Sequence, residues 1–280
     1  MITALDHLVL LCPDIEDGVE AYITLLGAEP VWQSEGEGTT SALFSVSNTK
    51  RELLAPSGGG LVADKLSQML LHGPKLTSLV YRSDDLTEDH RLFGRRGLAP
   101  SDIQDGESED AKTQVNRSWR RFRLPDDRMA GIKSFVLEPT EDDLPLPKIL
   151  PGSVTALDHL VINTPNPERA VATYGARLGL RFALDRTAEQ WKTRFLFFRL
   201  GGMTLEIIHR LDQEHDRDGN DTIWGITWAV NDLEAARDRL SEQGLNVSDI
   251  RTGRKPGSRV FTVRDGTLQV PTLFIQHDRA

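Results

Sequence analysis

The sequence has very little sulfur chemistry. Cys12 is its one cysteine, which excludes an intrachain disulfide and any cysteine-rich zinc site, and suits a reducing cytoplasm. It also lacks an excess of basic charge. With 33 Lys and Arg against 42 Asp and Glu, the net charge is −9, so nothing draws the chain non-specifically to nucleic acid. Long apolar runs are missing too: none approaches the ~20 residues of a membrane span. The opening stretch MITALDHLVLLCPD carries no basic n-region of a secretory signal. A cytoplasmic protein with a small-molecule partner, no nucleic acid and no membrane is expected, with homodimerisation left open. Its 280 residues suffice for two domains of roughly 100–150 residues each.

What the sequence does contain is a repeat. TALDHLV stands at 3–9 and again, unchanged, at 155–161. After His7 comes CPDIEDGVEAYITLLGAEPVW, and after His159 comes TPNPERAVATYGARLGLRFAL. Each reads as strand, turn, helix, glycine stop, strand. Asp14 and Asn166 are placed as helix N-caps, Gly27 and Gly179 as stops. Further on, TKRELLAP (49–56) matches MTLEIIHR (203–210), so Glu52 follows His7 by 45 residues and Glu206 follows His159 by 47. A weaker echo lies inside each half. SLVYRSDDLTEDHRLFGRRGL (78–98) and GITWAVNDLEAARDRLSEQGL (225–245) are each an apolar strand, Asp-Leu, an amphipathic helix and Gly-Leu.

The pattern predicts four βαβββ modules, beginning near residues 2, 76, 154 and 223. Residues 1–138 form the first pair and 153–280 the second. The four-proline stretch 139–152 is the linker, and the polar segment 104–114 reads as a loop. Trp224 and Trp228, four apart in a strand, are expected to share a face and pack on a helix over 232–243.

The pieces LDHLVLLCPDIEDGVEAY, NTKRELLAP, LDHLVINTPNPERAVATY and GGMTLEIIHR, in this order and at matching spacing, resemble the vicinal-oxygen-chelate superfamily. It includes glyoxalase I, methylmalonyl-CoA epimerase, extradiol dioxygenases and bleomycin-resistance proteins. The first two pieces look most like the opening half of methylmalonyl-CoA epimerase. The resemblance covers nearly the whole chain and implies an α+β fold. Its four modules would form two cup-shaped or barrel-like mixed sheets with the helices outside.

Strand alternation places His7 with Val9, and His159 with Val161, on the concave side, while Leu8 and Leu10 pack on the module's helix. Glu52 and Glu206 each sit in a strand whose other face is apolar, and a carboxylate there is costly unless paired or metal-bound. A lone strand histidine is ordinarily structural; two His–Glu pairs in register are a different matter. The resemblance nominates His7, Glu52, His159 and Glu206 as ligands of a divalent ion (Zn, Ni, Fe, Mn or Co), with Glu52 or Glu206 as the general base. The positions matching His7 and Glu52 are Ser78 and Phe135 in the second module, and Gly225 and Phe274 in the fourth, so those modules supply no ligand. If the first and third modules pair, all four ligands meet in one cage. If neighbours pair, two half-sites result. The shared cage is the expectation.

Arg199 points to the cavity side with Phe195 and Phe197, and Arg117, Trp119, Arg121 and Arg123 share one strand face. Arg199 and Arg121 are therefore candidate partners for an anionic substrate, against the plain alternative of solvated outer charges. His72, His90, His209, His215 and His277 read as loop or outer-face residues. The resemblance implies a metal-dependent isomerase or lyase of glyoxalase or epimerase type. It would act on a small oxygenated, anionic metabolite through an enediolate or enolate. The alternative is a metal-free binding protein like the bleomycin-resistance group. An extradiol-type dioxygenase ranks third, because its second histidine is missing at Gly225.

Overall fold

Each module begins with a capped turn that sends the chain from strand into helix. In the computed structural model, which describes residues 1–140 and 144–278, β1 (Ile2–Leu11) ends at Asp14. The Asp14 carboxylate accepts from the N–H groups of Glu16 and Asp17 and starts α1 (Ile15–Leu26). Gly27, at φ 70°, closes the helix in the left-handed region. Three strands follow: β2 (Trp32–Gly36), β3 (Thr39–Val46) and β4 (Thr49–Pro56). The second module repeats the plan as β5 (Lys75–Ser83), then a helix at Leu86–Arg95, then β6 (Gln104–Glu109), β7 (Asn116–Leu124) and β8 (Lys133–Pro139). A helix the repeat does not announce, α2 (Leu61–Met69), joins the two modules, so the Leu86 helix is α3.

The third module runs β9 (Val154–Asn163), α4 (Pro167–Ala170) continuing as a π-helical turn over 171–177, β10 (Arg181–Ala188), β11 (Thr193–Leu200) and β12 (Met203–Arg210). Asn166 caps it, accepting from the Arg169 N–H. The fourth runs β13 (Thr222–Val230), α5 (Leu233–Glu242), β14 (Arg251–Thr252), β15 (Ser258–Val263) and β16 (Thr272–His277).

Modules join edge to edge into two eight-stranded mixed sheets. Their orders are β2-β3-β4-β1-β5-β8-β7-β6 and β10-β11-β12-β9-β13-β16-β15-β14. The strand bearing TALDHLV is central in each. It pairs in parallel with the last strand of its own module and antiparallel with the first strand of the next. The first sheet curls until its edges meet: the Trp32 indole N–H donates to Ser108 Oγ at 2.9 Å, and the Gln33 N–H to Asp110 at 2.8 Å.

The convex faces and helices share one apolar core that runs through both halves, from Leu8, Leu10, Tyr22 and Leu53 to Leu160, Ile162, Tyr174 and Leu205. Two small apolar clusters lie apart from it on the concave faces. One holds Val9, Val80 and Leu137 with Leu54, Trp119 and Phe135 against it. The other holds Val161, Ala188, Phe195 and Ile208 with Trp191 and Phe197. The halves are sewn together by backbone mimicry: the Asn48 side-chain amide donates to the Leu157 carbonyl at 2.8 Å and accepts the Leu157 N–H at 2.9 Å.

Several expectations change. Residues 104–109 are strand, not loop. β6 pairs with β7 along its whole length, but its half-buried face carries only Gly106 and Ser108, so it shows no apolar alternation, and cross-strand pairs such as Asp105 with Arg120 suit its exposed face. Trp224 and Trp228 do not share a face. The register slips between Ile223 and Gly225 and again between Thr227 and Trp228, so Trp228 is fully buried in the common core while Trp224 is 47% exposed. Of the expected linker, residues 141–143 lie outside the described residues; 144–150 carry no helix or strand.

Candidate functional site

Strand alternation alone would send Asp6 to the convex face with Leu8. A β-bulge prevents this. In the β1–β5 ladder Leu5 pairs with Tyr81 and His7 with Val80, leaving Asp6 as the extra residue. The same slip recurs at Asp158, between Leu157 opposite Trp228 and His159 opposite Thr227. Leu5 and Leu157, which strict alternation would set on the side of His7 and His159, therefore join the convex core. Each bulged aspartate bonds the Nδ1 of the histidine that follows it, at 2.7 Å in both copies.

In the first cup, His7 Nε2 stands 3.3 Å from Glu52, and Lys50 Nζ is 3.4 Å from the other Asp6 oxygen. His7 and Glu52 keep only 15% and 22% of their side-chain surface exposed. Burial by itself would push the His7 ring down, but the hydrogen bonds to Asp6 and Glu52 outweigh it and raise the ring to about 9. Burial likewise opposes ionisation of Asp6, yet His7 and then Lys50 hold its carboxyl well below the usual carboxylate range.

In the second cup, His159 Nε2 meets the Thr227 hydroxyl at 2.9 Å, and Glu206 lies farther off at 3.7 Å. Asp158 is shared with His277 at 2.5 Å. Burial pushes the Glu206 carboxyl up from its ordinary value, against the pull of His159 and Arg254. Burial opposes the ionisation of Asp158 also, but its bonds to His159 and His277 bring it to about 2. His277, expected on an outer face, is thus part of this cup.

The arginines take concave positions. Arg117 lies over the rings of Trp32 and Trp119, 5.6 Å from each, and Arg121 lies 5.6 Å over Phe135. Arg123 turns instead to Asp126. In the second cup Arg254 covers Trp191 at 4.2 Å, and Arg199 donates to Thr204 Oγ1 at 2.6 Å.

His7 meets Glu52, and His159 meets Glu206, but the four do not converge. β1 and β9 are the centres of different sheets, and among the described residues no group of three or more His, Cys, Asp or Glu is arranged to hold a metal. The shared cage is therefore replaced by two separate pairs, because modules join their neighbours. The non-ligand positions stand as expected at Ser78, Phe135 and Gly225. In the fourth module, however, the residue in register with Thr227 is Leu273, one before the core residue Phe274. One imidazole nitrogen and one carboxylate per cup fall short of the three protein ligands a catalytic metal keeps, so neither pair fits a metal held by the protein alone.

The sequence reading missed Asp6, Lys50, Asp158, Thr227 and His277. The Asp-His doublet, present in both copies of TALDHLV, was the available signal for the two aspartates.

A glyoxalase-like domain model matches residues 5–150, and a glyoxalase/bleomycin resistance protein/dioxygenase superfamily model matches 158–262. No curated protein matches the chain in sequence. Among solved structures, a mutant of 4-hydroxymandelate synthase from Streptomyces coelicolor superposes with TM-score 0.69 at 12% identity, covering 100% of this chain and 94% of that one. The Mn(II)-bound glyoxalase from Novosphingobium aromaticivorans superposes with TM-score 0.67 at 13% identity, covering 98% and 82%. At these identities the likeness is one of fold. Among the described residues no helix is long and apolar enough to cross a membrane.

Proposed function

Because the chain belongs to the glyoxalase/bleomycin resistance/dioxygenase superfamily, also called vicinal-oxygen-chelate, we propose that it uses that fold to bind a small anionic organic molecule in its cups, without a metal of its own. One observation carries this reading. The floor of each cup holds a single His–Glu pair, with the histidine tied to an aspartate through Nδ1 and set among aromatic walls. Apolar walls with a few convergent polar groups are the ordinary make-up of a small-molecule site. The arginines over Trp32, Trp119 and Phe135 add an attraction for negative charge beside a planar surface.

A second reading, the metal-dependent isomerase or lyase, has one observation in its favour. Ligating histidines are commonly oriented by a carboxylate on the other ring nitrogen, and Asp6 and Asp158 are so placed. It requires donors beyond the one His and one Glu of each cup.

Metal analysis of tag-free protein, reported as ions per chain, separates the two. The binding reading expects a value well below one, and thermal protection by small organic acids that a chelator leaves unchanged. A stoichiometric ion, lost in His7→Ala or His159→Ala, would overturn it.

A further inference from the structure

On the floor of the second cup an acid, an imidazole and a hydroxyl stand in line. Asp158 Oδ1 meets His159 Nδ1 at 2.7 Å, and His159 Nε2 meets the Thr227 hydroxyl at 2.9 Å. A carboxylate only accepts, so the ring donates from Nδ1, and in the neutral imidazole Nε2 keeps its lone pair. The Thr227 hydroxyl is then the donor of the second bond. An acid that orients a base, and a base that can take a hydroxyl proton, is the geometry by which a weak oxygen nucleophile is activated.

The strands around the line hold it in place. The bulge keeps Asp158 on the concave side, and its other oxygen is bonded by His277 at 2.5 Å. Thr227 lies opposite His159 on one side and Leu273 on the other, so His159 is the polar group in register with its hydroxyl. The next residue on its face, Gly225, carries no side chain. His159 and Glu206 keep 19% and 17% of their side-chain surface exposed, which opens the floor to the cup. Thr227 itself is 3% exposed, which restricts the reacting carbon to a small acyl group. Arg254, laid on Trp191, brings a positive charge that acts on this floor through Glu206.

The first cup has no such line. Val80 stands opposite His7, and His7 Nε2 is nearest to Glu52.

We propose that Asp158, His159 and Thr227 form a nucleophilic triad, with which the second cup hydrolyses esters of small carboxylic acids. Thr227 Oγ1 bonds to the acyl carbon while its proton passes to His159 Nε2 and the carbonyl electron pair moves onto oxygen, where Arg254 offsets the charge. The carbonyl then re-forms, the bond to the alcohol oxygen breaks, and the alcohol leaves with the proton from Nε2. Water, giving a proton to Nε2 in its turn, cleaves the acyl-threonine and restores the hydroxyl. Nothing is oxidised or reduced. Asp158 is the positioning residue. The triad needs neither a metal nor the anionic ligand of the binding reading above.

The test uses the full chain, p-nitrophenyl acetate as substrate and p-nitrophenyl ethyl methylphosphonate as a covalent probe. Expected are hydrolysis of the ester and a single phosphonate adduct, placed on Thr227 by peptide mass spectrometry. Thr227→Ala and His159→Gln should each lower kcat/KM by about a hundredfold or more and abolish the adduct. Thr227→Ser should keep both, which leaves the proposal testable even if the alanine variant does not fold. Asp158→Asn should lower kcat with little change in KM, a split that a merely structural role would not produce. An adduct on His159 or any other residue, no adduct at all, or hydrolysis that survives Thr227→Ala would overturn it.

Discussion

The two cups start from the same seven residues and end with different hydrogen bonds. In both, the aspartate of the Asp-His doublet is bulged onto the concave side and holds Nδ1 at 2.7 Å. The histidine's other nitrogen is then assigned by the neighbouring strand. Opposite His7 stands Val80, which has nothing to offer, and Nε2 lies nearest to Glu52 at 3.3 Å. Opposite His159 stands Thr227, whose hydroxyl bonds it at 2.9 Å, and Glu206 is left at 3.7 Å. The far side of each aspartate differs too: Lys50 in the first cup, His277 in the second. A repeated motif therefore sets the orientation of the imidazole, while unrepeated neighbours set its partner and the local charge.

Removing the shared aspartates should break the comparison most strongly. Asp6 is nearly fully buried between His7 and Lys50, and loss of one member of a buried charged set costs about 3–5 kcal/mol. Asp6→Ala should lose about that much in urea unfolding. Asp158→Ala should lose less, because Asp158 and His277 are 19% and 33% exposed. Equal losses would mean that burial does not distinguish the cups.

The next effect is one of pH. His7, raised to about 9 in the fold, contributes stability that is complete below its unfolded value near 6.5 and fades as pH rises through 9, on the order of 3 kcal/mol in all. Asp6, held below its ordinary range, acts in the opposite direction, with its contribution present above about pH 4 and lost at lower pH. Denaturation followed from pH 6 to 10 should show a decline that His7→Gln removes. A decline unchanged in that variant would assign it elsewhere.

A third test lies on the convex side. Arg51 is 1% exposed and bonds the Tyr22 hydroxyl at 2.8 Å, and its Nε and Nη1 have no partner among the described residues. The second half places Leu205 at the same register, opposite Leu160 as Arg51 is opposite Leu8. Exchanging a poorly satisfied buried charge for a well-packed apolar residue is commonly neutral or stabilising by about 1–4 kcal/mol. Arg51→Leu should therefore raise the melting temperature, read by calorimetry. A fall would show that the guanidinium is satisfied by solvent.

The smallest expected effect is the exchange of the cross-strand residues. Thr227→Val should cost about 1 kcal/mol and turn His159 Nε2 to Glu206, and Val80→Thr should draw His7 toward the new hydroxyl. Imidazole nitrogen shifts in NMR titrations of the two variants would show whether the cups have exchanged behaviour.

Much of the fold was legible because its signals are local. Asp14 and Asn166 are capping residues wherever they precede a helix, Gly27 is favoured where φ must be positive, and a repeat of seven identical residues imposes the same strand twice. The pairs His7–Glu52 and His159–Glu206 could also be read, since adjacent parallel strands place residues of matching register on one face. The Asp-His contacts were hidden by the bulge, which breaks the period of two on which facing was judged. Residues 104–109 read as loop because the half-buried face of this edge strand carries Gly106 and Ser108 in place of apolar side chains.

The sequence by itself determined that there are four modules, where each begins and which side chains could do chemistry, because module identity is written in local pattern. Which modules share a sheet was decided only in three dimensions. Strand β1 can pair with any strand of compatible register, and the choice of β5 over β9 depends on the edge-to-edge ladder and the common convex core rather than on any residue of TALDHLV. That choice divides four candidate ligands into two pairs. It also brings Ser45, Lys50 and Arg82, far apart in sequence, to the walls of one cavity, because distances across strands are not contained in a linear pattern.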